Sequence, residues 1–277
     1  MRPLTLVHLS DLHFGRDVDL DQVAALEGGV RTLRPDAVIV SGDLTQRARH
    51  GEFQGALAFV QQLGRQAPTL VVPGNHDVQW WGSPWSLLGD RPKYVKYRRY
   101  FGEELSPRLE IGGAVIAGAL SSYGVTFGSM TWNLNDLAVK GHLPAAELGR
   151  VGRYFETAPP ELVRVVVLHH NVLRGAISRR MGLARWRTAQ DRLGRTGADL
   201  VLCGHDHQEG SGQIDGTVVV STAGTHTSRS RGGRPSAFNV VSVNPTSIDI
   251  QHMRWHRESK EFVPGDLARY GRVRAVP

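Results

Sequence analysis

Five short polar clusters carry the residue types from which a reactive centre can be built. They are Asp11-Leu12-His13, Gly42-Asp43, Gly74-Asn75-His76-Asp77, His169-His170 and Gly204-His205-Asp206-His207. Each begins where an apolar run ends. Carboxylates and imidazoles suit first-row divalent cations, with Mn, Fe and Zn all compatible. Asp11, His13, Asp43, Asn75, His169, His205 and His207 are candidate ligands, more than one cation commonly takes from a protein. Two cations sharing a carboxylate would use them, and cations paired roughly 3.5–4 Å apart suit phosphate chemistry. Asp11 and His13 are two residues apart, as are His205 and His207, and on an extended backbone such pairs point the same way. Singly, each cluster has a plainer reading: a lone histidine is commonly a satisfied polar group, and Asp43 could start a turn. Five in order, each after an apolar run, argue for one centre.

The elements that must position these clusters are legible as periodic stretches. Leu4–Leu9, Ala37–Val40 and Thr69–Val72 read as short buried strands. Leu20–Leu33 has helical spacing, with Leu20, Val23, Leu26 (or Ala24) and Val30 on one side. Phe53–Leu63 repeats it through Phe53, Leu57, Val60 and Leu63. Such β-α-β-α-β order predicts a parallel sheet flanked by helices, with ligands at the carboxyl ends of its strands. Further on, Ala114–Leu120, Val163–Leu168 and Leu200–Cys203 read as strands. Helices are predicted around Pro144–Phe155 and Ala184–Leu193. Trp80–Trp85 and Asn171–Leu183 read as loops. After Gly210 the closely spaced strands Thr217–Ser221, Phe238–Val243 and Ser247–Met253 predict a second sheet rather than a second domain.

The chain has 277 residues, 40% hydrophobic and 21% charged, enough for a sizeable core. No apolar run approaches the roughly 18 residues that span a bilayer, so no membrane partner is expected. The start lacks a secretory pattern, which predicts a cytoplasmic protein. The single Cys203 agrees with that compartment and reads as a small buried hydrophobe. Formal net charge is +7, and only Lys93, Lys96, Lys140 and Lys260 are lysines. An arginine excess suits an anionic substrate or nucleic acid, and equally a solvated surface. In YVKYRRYF, the aromatics Tyr94, Tyr97 and Phe101 fit a helical core stripe better than a base-stacking platform.

The ordered motif set resembles that of the calcineurin-like metallophosphoesterases. The forms SDLHFG, SGDLTQ and PGNHD are most similar to the bacterial class III phosphodiesterase branch, which includes cyclic-nucleotide phosphodiesterases. The resemblance spans about Leu4 to Asn239, and Ser221–Asn239 is itself similar to a segment of that branch. It implies an α/β fold, a four-layer αββα sandwich of two mostly parallel or mixed sheets. A single domain over 1–277 is expected, with a motif-bearing core at about 4–239 and C-terminal strands and tail at 240–277.

The resemblance also implies roles. Asp11, His13, Asp43 and His207 would hold one metal, and Asp43, Asn75, His169 and His205 the other, with Asp43 bridging and a hydroxide between the metals as nucleophile. His76 would face the substrate and assist the leaving group, and Asp77 would orient His76. His170, Asn171 and His226 are the candidate substrate contacts. His170 fits packing as well, and Asn171, standing where the family often has proline, could instead cap its loop. Asp206 is expected to point away from the centre. The implied activity is metal-dependent hydrolysis of phosphoric esters, with a small phosphodiester or nucleotide as first choice of substrate. A nuclease on DNA or RNA and a phosphomonoesterase are the alternatives. A non-catalytic metal-bound module is disfavoured because no expected ligand is missing.

Overall fold

Alternation along single strands decides the layers of this fold. The computed structural model describes residues 3–16, 18–79, 92–123, 140–226, 230 and 232–273. In β1 (Leu4–Leu9), Leu4 and Leu6 join one apolar cluster, while Val7 and Leu9 join another. In β2 (Ala37–Val40), Ala37 and Ile39 go one way, and Val38 and Val40 the other. Successive strand side chains point to opposite faces, so a strand apolar at every position must be covered on both.

These two strands and β3 (Thr69–Val71) run parallel, joined by α1 (Leu20–Leu33) and α2 (His50–Gly64). Asp19 starts α1 by accepting hydrogen bonds from the backbone N–H groups of Asp21 and Gln22. The helical faces are rotated from the predicted ones. Leu20 is 72% exposed, and Ala56 and Phe59 are buried in α2 where Leu57 and Val60 were expected. Tyr94 and Tyr97, at and after the start of α3 (Val95–Phe101), are buried in the same core cluster as Phe53, as the core-stripe reading requires.

The second sheet is built from β4 (Arg108–Ile111), β5 (Ala114–Gly118), β6 (Val163–His170), β7 (Leu200–Gly204), β8 (Gly210–Ile214) and β9 (Val218–Thr222), in the order β4-β5-β6-β7-β9-β8. Its four inner strands are parallel, and β4 and β8 pair antiparallel at the edges. Helices α4 (Ala145–Glu156) and α5 (Trp186–Arg195) cover its outer face through Leu148, Val151, Phe155 and Leu193, packed with Val166, Leu168, Val201 and Cys203. Its inner face, with Val165, Val167, Leu200 and Leu202, meets Leu6, Ile39 and Leu70 of the first sheet. Helices, sheet, sheet and helices give the expected αββα layers.

One expectation is corrected. The strands after Gly210 do not form a sheet of their own. β9 joins the second sheet, whereas β10 (Ala237–Val243), β11 (Ser247–His256) and β12 (Glu261–Gly271) extend the first, giving the order β12-β11-β10-β1-β2-β3. β10 pairs antiparallel with β1, from Leu4 opposite Val243 to His8 opposite Asn239. A strand pattern shows which face is apolar, but not which open edge the strand will occupy. The loop read at Trp80–Trp85 lies outside the described residues. Among the described residues no helix is long and apolar enough to cross a membrane.

Candidate metal centre

All five clusters lie at or just past the carboxyl ends of strands, at β1, β2, β3, β6 and β7, and the two sheets bring those ends together. The local conformation differs from the expected one. Asp11, His13, Asp43, His205 and His207 all have positive φ, between 44° and 72°. They sit on left-handed turns beyond the strand ends, so the two-residue spacing does not work through an extended backbone. Left-handed non-glycine residues are uncommon, with Asp and His among the tolerated types, and such strain gathers at functional sites. Gly74 and Gly204 let the loops nest. A Cβ on Gly74 would overlap the Asp43 backbone nitrogen, and one on Gly204 would overlap the Ser10 hydroxyl.

Asp11, His13, Asp43 and His207 converge so that one ligand atom from each lies within 4.8 Å of the others. His13 Nε2 and His207 Nε2 face each other at 3.0 Å, and Asp11 Oδ1 is 3.3 Å from His207 Nε2. Beside them, Asn75 Oδ1 lies 3.0 Å from both His169 Nε2 and His205 Nδ1. Asp43 stands between the groups: Oδ1 is 3.3 Å from His169 Nε2, and Oδ2 is 3.8 Å from His13 Nε2. Asp11, His13, Asp43 and His169 are buried. Buried Asp11 Oδ1 has no hydrogen-bond donor. Buried oxygen and nitrogen lone pairs aimed at one another, with a carboxylate oxygen left over, fit divalent cations. His170 joins His169 and His205 in the second group, its Nδ1 bonded to Ser121 Oγ at 2.9 Å.

The electrostatics match this donor set at Asp43, His13 and His205 and set His169 apart. Burial by itself would raise the Asp43 carboxyl, but His169 and His76 beside it hold it well below the usual carboxylate range. Burial pushes the imidazoles of His13 and His205 down, to about 4 and about 3, so they stay neutral, the form that ligates metal. Burial would lower His169 too, but Asp43 outweighs it and raises this ring to about 9. Its Nδ1 donates to the Ser41 carbonyl at 2.9 Å, which turns Nε2 toward the centre.

His76 is the one motif histidine that is substantially open, with 34% of its side chain exposed. Its Nδ1 is 2.8 Å from the Gln46 carbonyl, an acceptor only, so Nδ1 carries the proton and Nε2 faces the centre, 4.0 Å from Asp43 Oδ2. Its backbone N–H donates to Asp43 Oδ1 at 2.8 Å. The expected role of Asp77 is corrected here. Its carboxylate accepts from Gly74 N, Leu44 N, Thr45 N and Thr45 Oγ1 at 2.9–3.1 Å and does not bond the His76 ring. Three adjacent polar residues on one tight turn cannot all aim at one point, so Asp77 clamps the loops while Gln46 aims the ring.

The remaining expectations divide. Asn171 caps its loop, donating through Nδ2 to the carbonyls of Leu173 and Arg180, so the capping alternative stands over the substrate one. His226 is buried against Phe238 and Phe262 with Nδ1 bonded to the Ser10 carbonyl, so it is not an open substrate contact. Asp206 holds Ser178 and Gln208, away from the ligand atoms, as expected. Sequence reasoning passed over Gln46 and a buried chain behind the centre. His252 Nδ1 meets Asn239 Oδ1 at 2.7 Å, and Asn239 Nδ2 donates to Ser221 Oγ at 2.8 Å. His8 then bridges Ser221 Oγ and Ser41 Oγ at 3.0 Å each, and Ser41 carries the carbonyl that holds His169. The signal was a histidine inside a largely apolar strand, LTLVHL.

A two-sheet sandwich with Asp, Asn and His donors gathered at one rim defines a class of metal-dependent hydrolase folds. The family model of the calcineurin-like phosphoesterases matches residues 4–209, and the chain belongs to that family of metal-dependent phosphoester hydrolases. It is 29% identical over 159 residues to the glycerophosphodiester phosphodiesterase GpdQ of Enterobacter lignolyticus, covering 52% of this chain and 55% of that protein. It is 26% identical over 249 residues to the DNA double-strand break repair protein Mre11 of Haloferax volcanii, covering 88% of this chain and 47% of that one. The chain thus spans about half the length of these two relatives. Among solved structures, a dimetal phosphatase from Danio rerio superposes with TM-score 0.65 at 13% identity, covering 95% of this chain and 98% of that one. Purple acid phosphatase PPD1 from yellow lupin gives TM-score 0.67 at 11% identity, over 98% of this chain and 54% of that one. At these identities the likeness is one of fold.

Proposed function

We propose that this chain is a phosphodiesterase of the class III branch, working with two divalent cations drawn from Mn, Fe and Zn. The observation that carries the reading is Asp43, one buried carboxylate between two groups of donors with the half-open His76 ring beside it. Asp11, His13, Asp43 and His207 would hold one cation; Asp43, Asn75, His169 and His205 would hold the other. When bound, such a pair supplies Lewis acidity toward phosphoryl oxygens and an acidified water for in-line attack.

The chain's own residues do the rest. The Ser41 carbonyl fixes the His169 ring, and the His205 backbone N–H fixes Asp11 by donating to Oδ2 at 2.9 Å. Gln46 keeps the proton on His76 Nδ1, so Nε2 is the atom that meets substrate. In the cationic ring, which carries a second proton on Nε2, that proton passes to the departing ester oxygen as the P–O bond breaks and leaves the ring neutral. Asp77 acts indirectly, by holding the Gly74 and Thr45 backbones that carry this turn.

A diester is favoured over a monoester because GpdQ is named for a glycerophosphodiester. The second reading, a nuclease, draws on the longer alignment with Mre11. The two donor groups take residues from both sheets, which supports one domain over 1–277, and the single buried Cys203 suits a cytoplasmic setting. The test is hydrolysis of bis-p-nitrophenyl phosphate by protein supplied with Mn²⁺, with metal counted by elemental analysis. The expected result is about two metal equivalents and a higher kcat/KM than for p-nitrophenyl phosphate. Absent hydrolysis, or a reversed preference, overturns the reading.

A further inference from the structure

A groove of about 930 Å³ opens between the start of α1, residues 233–236 just before β10 and the β11–β12 hairpin. That is near the upper end for small-molecule clefts and leaves room beyond a compact ester arm. Its lining includes Arg16, Arg234, Trp255, Arg257 and Lys260. Two acids also line it, but both are engaged. Asp19 caps α1, and Asp21 Oδ2 lies 2.8 Å from Lys260 Nζ. Arg234 lies 3.4 Å from the buried Glu209 carboxylate. Arg16 and Arg257 are exposed and have no carboxylate partner among the described residues. Trp255 is half-buried, with one side of its ring against Phe262 at 5.1 Å between centroids.

The groove adjoins the metal centre through the backbone. Arg16 follows His13 by three residues, and the intervening Gly15 lies against Gln46, the residue that aims His76. On its other side, Thr225 Oγ1 donates to the Asp11 carbonyl at 2.8 Å, and the Ala237 backbone N–H at the start of β10 donates to the Thr225 carbonyl at 3.2 Å.

We propose that this groove binds a single-stranded oligonucleotide flanking the scissile phosphodiester, with phosphates on Arg16 and Arg257 and a base on Trp255. Guanidinium groups match phosphate oxygens in pairs, and a half-open indole offers a stacking face that any base can use. The proposal rests on the phosphodiesterase reading and takes up its nuclease alternative, since the groove's lining includes none of the candidate metal ligands.

The experiment uses the whole chain in three forms: unaltered, Arg16→Ala with Arg257→Ala, and Trp255→Ala. Each is measured for hydrolysis of bis-p-nitrophenyl phosphate with Mn²⁺ and, by fluorescence anisotropy, for binding a labelled single-stranded octanucleotide across a salt series. All three should hydrolyse the small diester within about twofold of one another. The double variant should bind the oligonucleotide at least roughly tenfold more weakly, and its salt slope should fall by about 1.4, two phosphate contacts at roughly 0.7 each on a single strand. Trp255→Ala should lose several-fold in affinity with its salt slope unchanged. Oligonucleotide affinity unaltered in the double variant overturns the groove while leaving the phosphodiesterase reading intact. So does tripolyphosphate competing equally well against all three forms, since that is anion binding without a base. Loss of small-diester hydrolysis by the unaltered protein, with oligonucleotide binding as stated, overturns the phosphodiesterase reading alone.

Discussion

Replacing His76 by Ala removes a ring whose contacts are few, and that makes its effects separable. The ring makes one hydrogen bond, to the Gln46 carbonyl at 2.8 Å, and is 34% exposed, so its removal should cost about 1 kcal/mol of stability. The contact that helps place the bridging carboxylate runs from the His76 backbone N–H to Asp43 Oδ1 at 2.8 Å, and alanine keeps it. Metal content should therefore stay at the unaltered level. The loss falls on proton delivery, about 10²- to 10⁴-fold in kcat, or about 2.7–5.5 kcal/mol of barrier. The size should depend on what leaves. p-Nitrophenolate departs without a proton, whereas an alkoxide needs one. With metal loading matched, the variant should lose less than about tenfold on bis-p-nitrophenyl phosphate and the full factor on a dialkyl ester. Equal losses on both esters would refute proton delivery through Nε2. A fall in bound metal larger than that caused by Asp43→Ala would show that His76 is a ligand instead.

Three further outcomes follow from particular contacts. Asp77→Ala orphans three buried backbone N–H groups at Gly74, Leu44 and Thr45. Relief of a carboxyl that burial and the Asp43 charge raise to about 6 offsets part of that loss. Urea unfolding should show about 2–4 kcal/mol of destabilisation, and an intact stability with a large fall in kcat would instead place Asp77 in the chemistry. Burial holds His226 down from 6.5 to about 4, so the folded protein keeps it neutral while the unfolded chain protonates it below 6.5. Its contribution is fully present above 6.5 and is lost as pH falls toward 4, about 3 kcal/mol in all. His226→Phe, which keeps the stack on Phe238 and Phe262, should flatten the fall in unfolding free energy across that window, and an unchanged slope counts against this origin. Gly204→Ala should press a methyl against Ser10 and Asp11, lowering thermal stability by about 1–3 kcal/mol and reducing bound metal; unaltered melting would contradict the nesting of these loops.

The ligand types and their order along the chain were legible because each donor follows an apolar strand, and strand ends are where such sheets collect ligands. Helix positions were legible from spacing, and their faces in part: Leu26, Val30, Phe53 and Leu63 are core as read, whereas Leu20, Leu57 and Val60 are not. Leu20 is exposed at the first turn of α1, while Gln22 in the same turn is buried. Which face of a helix turns inward depends on the sheet beneath it. The strands after Gly210 could be seen as strands, yet β9 went to one sheet and β10 to β12 to the other. Pairing partners far apart in sequence leave no local trace.

The sequence by itself determined the inventory: Asp, Asn and His donors in five clusters, the buried strands before them, and a surplus of arginine. Tertiary structure decided how those residues divide the work. It put Asp11, His13, Asp43, His205 and His207 on left-handed turns rather than extended strands, set Asp43 between two groups, gave the His76 ring to a carbonyl at Gln46 and spent Asp77 on the backbone. The physical reason is that direction is not local. A side chain aims where its turn is packed, and here each turn is packed against the loop of another strand.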